Sequence, residues 1–204
     1  MDKVVNVYLL RHGKTVGPAA LNGRTDVPVC SDTQTQIADA LNKDAIEFAS
    51  VITSPLSRCR ALAEKLHRLE SSIPYRIETR FQEFNFGDYD GKTFDELQPM
   101  WPQLSTFWVD PAHHTLPNAE RLQDFHERVS QGWLELTTKI QDDTLVVCHG
   151  GTIRLILAQI LNVDWSNPAW YSSLHIGNQS ITHIKVTLSE QPVAQIQMIG
   201  KPLF

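Results

Sequence analysis

The sequence predicts an α/β sandwich of three layers, a mostly parallel central sheet with helices on both faces, on three observations. Val4 to Leu10 and Thr144 to Cys148 are short β-rich runs with apolar residues in succession, the pattern of strands covered on both sides. Other segments carry apolar residues every three or four positions, as amphipathic helices do. The two kinds of segment alternate along the chain, which is the signature of α/β architecture.

Val4 to Leu10 is the first strand, and Val51 to Thr53 reads as a weaker one. Ser54-Pro55 then begins a helix on which Cys59, Leu62, Leu66 and Leu69 keep helical spacing. Residues 84–118, rich in aromatics, proline and histidine, are the least regular stretch and suit a cap over a site. Leu122, Phe125, Val129, Trp133, Leu136 and Ile140 mark the core face of the next helix. Behind the strand Thr144 to Cys148, a further helix buries Ile153, Ile156, Leu157, Ile160 and Leu161. Ile181 to Leu188 and Ala194 to Ile199 flank a Ser-Glu-Gln-Pro turn and predict an antiparallel edge. No linker or internal repeat interrupts the series, so residues 1–204 are read as a single domain with one core, in keeping with 42% hydrophobic content.

A formal charge of −5 argues against broad binding to nucleic acid or anionic membrane, which needs a basic face. An anionic partner, a small phosphorylated metabolite, must therefore meet local arginines. No stretch approaches the roughly 18 apolar residues of a membrane span, and Met1-Asp2-Lys3 leads into a short apolar run without a small-residue cleavage site; the expected location is cytoplasmic. Cys30, Cys59 and Cys148 are an odd, widely spaced set, read as reduced thiols.

Ligands of open parallel sheets bind beyond the carboxyl ends of the strands. Arg11 and His12 leave the end of the first strand, and His149 leaves the end of another in LVVCHGGTIR. Arg58 falls in the first turns of a helix, whose N-terminus favours an anion. Arg11, Arg58, helix amides and glycines such as Gly150, which allow close backbone approach, make a phosphate cradle. Inside it two guanidinium groups keep the His12 imidazole neutral, with a lone pair free to attack phosphorus, while a protonated His149 steadies the transferring oxygens. Glu83, in RFQEFNFGDYDG, is the candidate acid for the leaving alcohol, because an aromatic surround raises a carboxyl pKa; Asp88 and Asp90 compete for the role. Arg24 is read as a contact to the substrate's ribose or phosphate, with a plain surface residue as the alternative.

Leu10-Arg11-His12-Gly13 with Thr15, Ser54-Pro55 leading to Arg58, Glu83 before Phe86-Gly87 and Asp90-Gly91, and His149-Gly150-Gly151 together resemble the histidine phosphatase superfamily, also called phosphoglycerate mutase-like. The match runs in order over most of the chain. It implies a phosphohistidine intermediate on His12, phosphate held by Arg11, Arg58 and His149, Glu83 as acid, and no metal or other cofactor. Two departures stand out: Pro18 where many members carry asparagine, and Ser31-Asp32-Thr33 where they have Thr-x-x-Gly. LNGRTDVPV is similar to the Gly-x-Thr-Asp-x-Pro stretch of bacterial α-ribazole 5′-phosphate phosphatases, which act in cobalamin nucleotide-loop assembly. The implied activity is a phosphomonoester hydrolase on that substrate, with other small-metabolite phosphatases or a phosphoglycerate mutase as alternatives.

Rival readings use some of the same residues. Cys148 to Arg154 fits C-x5-R, the loop of cysteine-dependent phosphatases, although a thiol closing a buried strand is inert. A phosphate-binding regulator without turnover would lack the acid or the nucleophile, and both are present. His113, His114 and His126 invite a metal, but no cysteine or carboxylate stands at ligand spacing, and Arg60 reads as structural.

Overall fold

A computed structural model describes residues 2–204. Six strands form one sheet: β1 (Val4–Arg11), β2 (Ser50–Thr53), β3 (Tyr75–Ile77), β4 (Thr144–Cys148), β5 (Ser180–Thr187) and β6 (Val193–Pro202), in the order β3-β2-β4-β1-β5-β6. The first four in that order are parallel, and β5 and β6 add antiparallel pairings, which is the edge that the Ser-Glu-Gln-Pro turn predicts.

Alternation along the strands divides the core between two faces. Leu10, Leu145 and Val147 pack on α1 (Ser31–Lys43) and α2 (Ser57–Leu69). Val5, Val7, Leu9, Val146 and Cys148 pack on α4 (Leu122–Lys139) and α5 (Gly150–Leu161). Both faces of β1 and β4 are therefore covered, which is why apolar residues follow one another in their sequences, with Asn6 as the polar exception inside β1.

Four elements have no counterpart in the sequence reading. The first turns of α1 are polar, and only Ile37, Ala38 and Leu41 supply apolar residues to its buried face, too few for a visible stripe. β3 is three residues long at the sheet edge. Within residues 84–118, expected to be irregular, α3 (Trp101–Val109) forms with a proline in its first turn, the one place a helix tolerates it. The short α6 (Pro168–Ser173) starts in the same way, with Asn167 accepting from the Ala169 N–H.

α2 corrects another expectation, because it begins at Ser57 and not at Ser54-Pro55. Ser54 is still held to the sheet, its N–H bonded to Val147 O at 3.0 Å. The first helical N–H is satisfied from outside, by Asp26 Oδ1 at 2.7 Å from Ser57 N. Arg58 remains in the first turn.

The chain leaves β1 toward α1 on one face and leaves β4 toward α5 on the other. A crevice opens between the carboxyl ends of two such neighbouring strands. Among the described residues no helix is long and apolar enough to cross a membrane.

Candidate active site

His12 stands one residue beyond β1, its N–H bonded to Cys148 O at 3.1 Å across that crevice. The ring is buried, with Nδ1 2.7 Å from Gly13 O. A carbonyl only accepts, so Nδ1 carries the proton and the Nε2 lone pair is free. Burial first, then the guanidinium groups of Arg58 and Arg11, push the His12 pKa down to about 3. The neutral imidazole that the sequence predicts is present, with desolvation as the larger cause.

His149 caps α5, and its ring meets that of His12 edge to face, 5.1 Å between centroids. Its Nε2 lies 2.8 Å from Ser54 Oγ, and its Nδ1 accepts from Arg58 Nε at 3.3 Å. Buried and surrounded by His12, Arg58 and Arg11, this imidazole has its pKa driven well below the usual value. The expected protonated His149 is thus a neutral ring here, because burial among positive charges opposes a further one.

Arg11 is the last residue of β1; its Nη1 donates to Ile176 O, and its buried Nε has no partner among the described residues. Gly150 lies over this guanidinium, where an added Cβ would stand 3.5 Å from its carbon. Arg58 is fully buried and gives Nη1 to Thr25 O at 2.8 Å and Nη2 to Gly23 O.

Glu83 reaches the site from the far wall. Its Oε2 accepts from Gly151 N at 3.0 Å and its Oε1 from Phe84 N at 3.1 Å. A side chain at 151 would place Cβ 2.3 Å from Glu83 Oε1, so only glycine allows the approach. The competing carboxylates are occupied elsewhere. Asp88 accepts from the Asn118 amide, and Asp90 from the main-chain N–H groups of Gly23, Arg24, Thr25 and Phe86.

Beside Glu83 and Gly151 opens a cavity of about 510 Å³, walled by Phe84, Phe86, Phe107, Trp108, Tyr171 and Arg154. Arg154 carries a site charge that the sequence reading used only in the C-x5-R rival. Its Nε is tied to Leu174 O at 2.9 Å, and burial lowers its pKa while Glu83 opposes the change. Arg128 was missed as well; it grips Arg80 O, Gln82 O and Glu83 O from α4, holding the strap that carries the acid. Its signal in the sequence is a lone arginine beside the buried stripe residue Val129.

The remaining predicted residues lie apart. Arg24 is exposed, with Nη2 3.6 Å from Glu120 Oε1. His113 pairs with Asp110 at the surface, and His126 stacks on Trp165 at 4.8 Å. Among the described residues no group of three or more His, Cys, Asp or Glu side chains could hold a metal ion. Cys148 is fully buried and its thiol pKa is raised well above normal, which leaves no thiolate for the C-x5-R reading.

Comparison with known proteins finds relatives over most of the chain. The adenosylcobalamin/alpha-ribazole phosphatase of Escherichia coli strain K12 is 24% identical over 204 residues, covering 96% of this chain and 98% of that protein. Other relatives are matched over less of their length, 52% for a protein of Hydrogenobacter thermophilus and 33% for a rat 6-phosphofructo-2-kinase/fructose-2,6-bisphosphatase. Among solved structures, YhfR of Bacillus stearothermophilus superposes with a TM-score of 0.82 at 25% identity, over 97% of each chain. A mycobacterial glucosyl-3-phosphoglycerate phosphatase shares the fold with a TM-score of 0.81 at 21% identity, over 98% of this chain and 100% of its own. The family model for the histidine phosphatase superfamily, branch 1, matches residues 7–197. With both strand-end histidines, two buried arginines and an acidic residue gathered at one crevice, the chain belongs to the histidine phosphatase superfamily and is a phosphoric monoester hydrolase.

Proposed function

We propose that the chain hydrolyses a phosphomonoester in two displacements on His12, and that the substrate is α-ribazole 5′-phosphate or a close analogue with a flat aromatic alcohol part. The observation that carries the chemistry is the His12 tautomer: Gly13 O holds the Nδ1 proton, so the Nε2 lone pair is free on a ring that feels the charges of Arg58 and Arg11.

In the first displacement His12 Nε2 bonds to phosphorus as the bond from phosphorus to the alcohol oxygen breaks, and the departing oxygen takes a proton from Glu83. In the second, Glu83 removes a proton from water, the water oxygen bonds to phosphorus, and the phosphorus–nitrogen bond returns its electrons to Nε2. Arg11, through its unpartnered Nε, and Arg58 hold the phosphoryl oxygens together with the Gly150 N–H at the start of α5. With Nδ1 accepting from Arg58 Nε, the neutral His149 ring carries its proton on Nε2, which is the donor it can offer a phosphoryl oxygen.

The substrate reading rests on the cavity and on the relatives. Phe86, Phe107 and Trp108 offer aromatic faces next to Glu83, where the leaving alcohol must lie. The Escherichia coli relative bears the alpha-ribazole name over nearly its whole length. Residues 84–118 then serve as the cap that reads the alcohol, within one domain.

A panel of phosphomonoesters, including α-ribazole 5′-phosphate, 3-phosphoglycerate and phosphoserine, tests this. The expected result is the highest kcat/KM with the ribazole ester, and a KM for it raised about tenfold in Trp108→Ala, the worth of one lost aromatic contact. Preference for the small carboxylate esters, or mutase turnover of 3-phosphoglycerate, overturns the substrate while leaving the His12 chemistry.

A further inference from the structure

The segment Asn22-Gly23-Arg24-Thr25 lies between opposite charges. On one side, Asp90 Oδ1 accepts from Gly23 N at 3.2 Å and from Thr25 N at 2.8 Å, and Oδ2 accepts from Arg24 N at 2.8 Å. On the other, Arg58 Nη2 donates to Asn22 O at 3.5 Å and to Gly23 O, and Nη1 donates to Thr25 O at 2.8 Å.

These groups pair within single peptide units. Asn22 C=O and Gly23 N–H belong to one planar amide, and Gly23 C=O and Arg24 N–H to the next. In a trans peptide the two ends point in opposite directions, so each unit has its donor on the carboxylate and its acceptor on the guanidinium. Both peptide dipoles are therefore aligned between the two charges, and hydrogen bonds arranged in such a chain strengthen one another. The geometry also fixes Gly23. A Cβ there would stand 2.1 Å from Phe84 O and 2.3 Å from Asp90 Oδ2. Arg58 also gives its Nε–H to His149 Nδ1, and the second Nη1–H is left for a phosphoryl oxygen.

We propose that Asp90 is a positioning residue for the phosphate site, acting through the peptide units 22–23 and 23–24 to fix the Arg58 guanidinium against His149. The proposal rests on the reading of Arg58 and His149 as phosphate-holding groups. It gives the LNGRTDVPV segment a task other than substrate contact: its main chain transmits the orientation, while the Arg24 side chain turns away to Glu120.

Asp90→Asn keeps the size of the side chain, removes its charge and sets an N–H donor against main-chain donors. The folded variant is expected to bind inorganic phosphate, measured as a competitive inhibitor, about tenfold more weakly and to lose about tenfold in kcat, the worth of one charge-assisted hydrogen bond. The 15N resonances of the His149 imidazole should shift at neutral pH as the Arg58 Nε–H loosens from Nδ1, an effect a purely structural carboxylate would not produce. Asp88→Asn, whose carboxylate meets only the Asn118 side chain among the described residues, is the matched control and should match the parent in all three readouts.

The resonance readout needs no turnover, so a shift in a protein that hydrolyses none of the esters keeps the positioning role and overturns the proposed function. If Asp90→Asn does not fold, Arg58→Gln tests the same bridge from its other end. Amide exchange at Gly23 and Arg24 should then quicken about tenfold. The Phe86 amide, which bonds to Asp90 Oδ2 at 3.0 Å outside the bridge, should hold. A folded Asp90→Asn with unchanged phosphate inhibition, kcat and His149 resonances overturns the proposal, as does unchanged exchange at Gly23 and Arg24 in Arg58→Gln.

Discussion

The His12 and His149 rings stand edge to face, 5.1 Å apart at an interplanar angle of 63°; burial and the guanidinium groups of Arg58 and Arg11 keep both neutral, while different hydrogen-bond partners fix the two tautomers. Gly13 O fixes the first; Ser54 Oγ and Arg58 Nε fix the second. Two buried imidazoles without charge, beside two buried arginines, make the centre of the molecule sensitive to acid.

That sensitivity has a definite sign. An unfolded histidine titrates near 6.5, whereas folded His12 does so at about 3 and folded His149 well below its usual value. Between these limits the unfolded chain binds more protons, so the stability present above pH 6.5 is lost as pH falls toward 3. At pH 5 the loss is about 2 kcal/mol for His12, before most carboxylates titrate, and His149 adds a loss of the same sign. Urea unfolding at pH 7 and pH 5 should show it, and His12→Asn should show a smaller loss; a flat profile would mean that the rings are charged in the native protein.

Cys148 is fully buried in the core on the α4 and α5 face of the sheet. Cys148→Ser should therefore keep its turnover and lose about 1–3 kcal/mol of stability, the cost of a buried hydroxyl without a designed partner. A folded but inactive Cys148→Ser would return the C-x5-R reading to the front.

Gly151→Ala isolates the acid from the cradle. The new methyl group must displace the Glu83 carboxylate, 2.3 Å away, but meets none of Arg11, Arg58 or His149 among its nearest atoms. The expected result is a kcat lower by about a hundredfold, the lower bound for general acid–base catalysis, with phosphate inhibition unchanged. If phosphate inhibition weakens in step with kcat, the two parts of the site are not separable in this way.

Much of this was legible in the sequence because strand ends and helix starts are marked by sharp changes of residue type. β1 and β4 announce themselves as runs of successive apolar residues, and the residues at and after their ends, Arg11-His12 and His149-Gly150, fall where such strands must turn outward. Spacing in the sequence favours Glu83 over Asp88 and Asp90 as the acid, but does not show what occupies the other two. What separates them is which main-chain N–H groups each carboxylate meets, a matter of contacts between residues some 65 positions apart. The protonation of His149 was misjudged for a related reason: Ser54 and Arg58 approach it from another strand and helix, and burial outweighs the demand of the chemistry. Arg154 and Arg128 sit inside helices, where a single charge in a sequence reads as solvent-facing.

Turnover should survive removal of divalent ions, since the positive charge facing the phosphoryl oxygens is supplied by Arg11 and Arg58 in fixed positions. Dialysis against a chelator should leave kcat/KM unchanged. Loss of activity that a divalent ion restores would transfer the charge-stabilising role to a metal, with Asp110 and His113 as the first ligands to examine.

Glu83 is asked to give a proton when the alcohol leaves and to take one when water attacks, so Glu83→Gln should slow both halves of the reaction. The substitution keeps the carbonyl that can accept from Gly151 N or from Phe84 N, but not both bonds, and leaves the strap held by Arg128 in place. With an alkyl ester, the loss in kcat should be about a hundred- to ten-thousandfold. With a nitrophenyl ester the leaving oxygen is already a weak base and needs little protonation, so phosphoryl transfer to His12 should be nearly unimpaired while hydrolysis of the phosphohistidine stays slow. The progress curve should show a burst of nitrophenol matching the enzyme concentration, then a poor steady rate. Acid-labile, base-stable phosphate should accumulate on the protein during that second phase and be absent from His12→Ala. Equal loss with both esters and no burst would reduce Glu83 to a wall of the cavity. The acid would then have to come from the substrate itself or from water, because Asp88 and Asp90 are both committed to other partners.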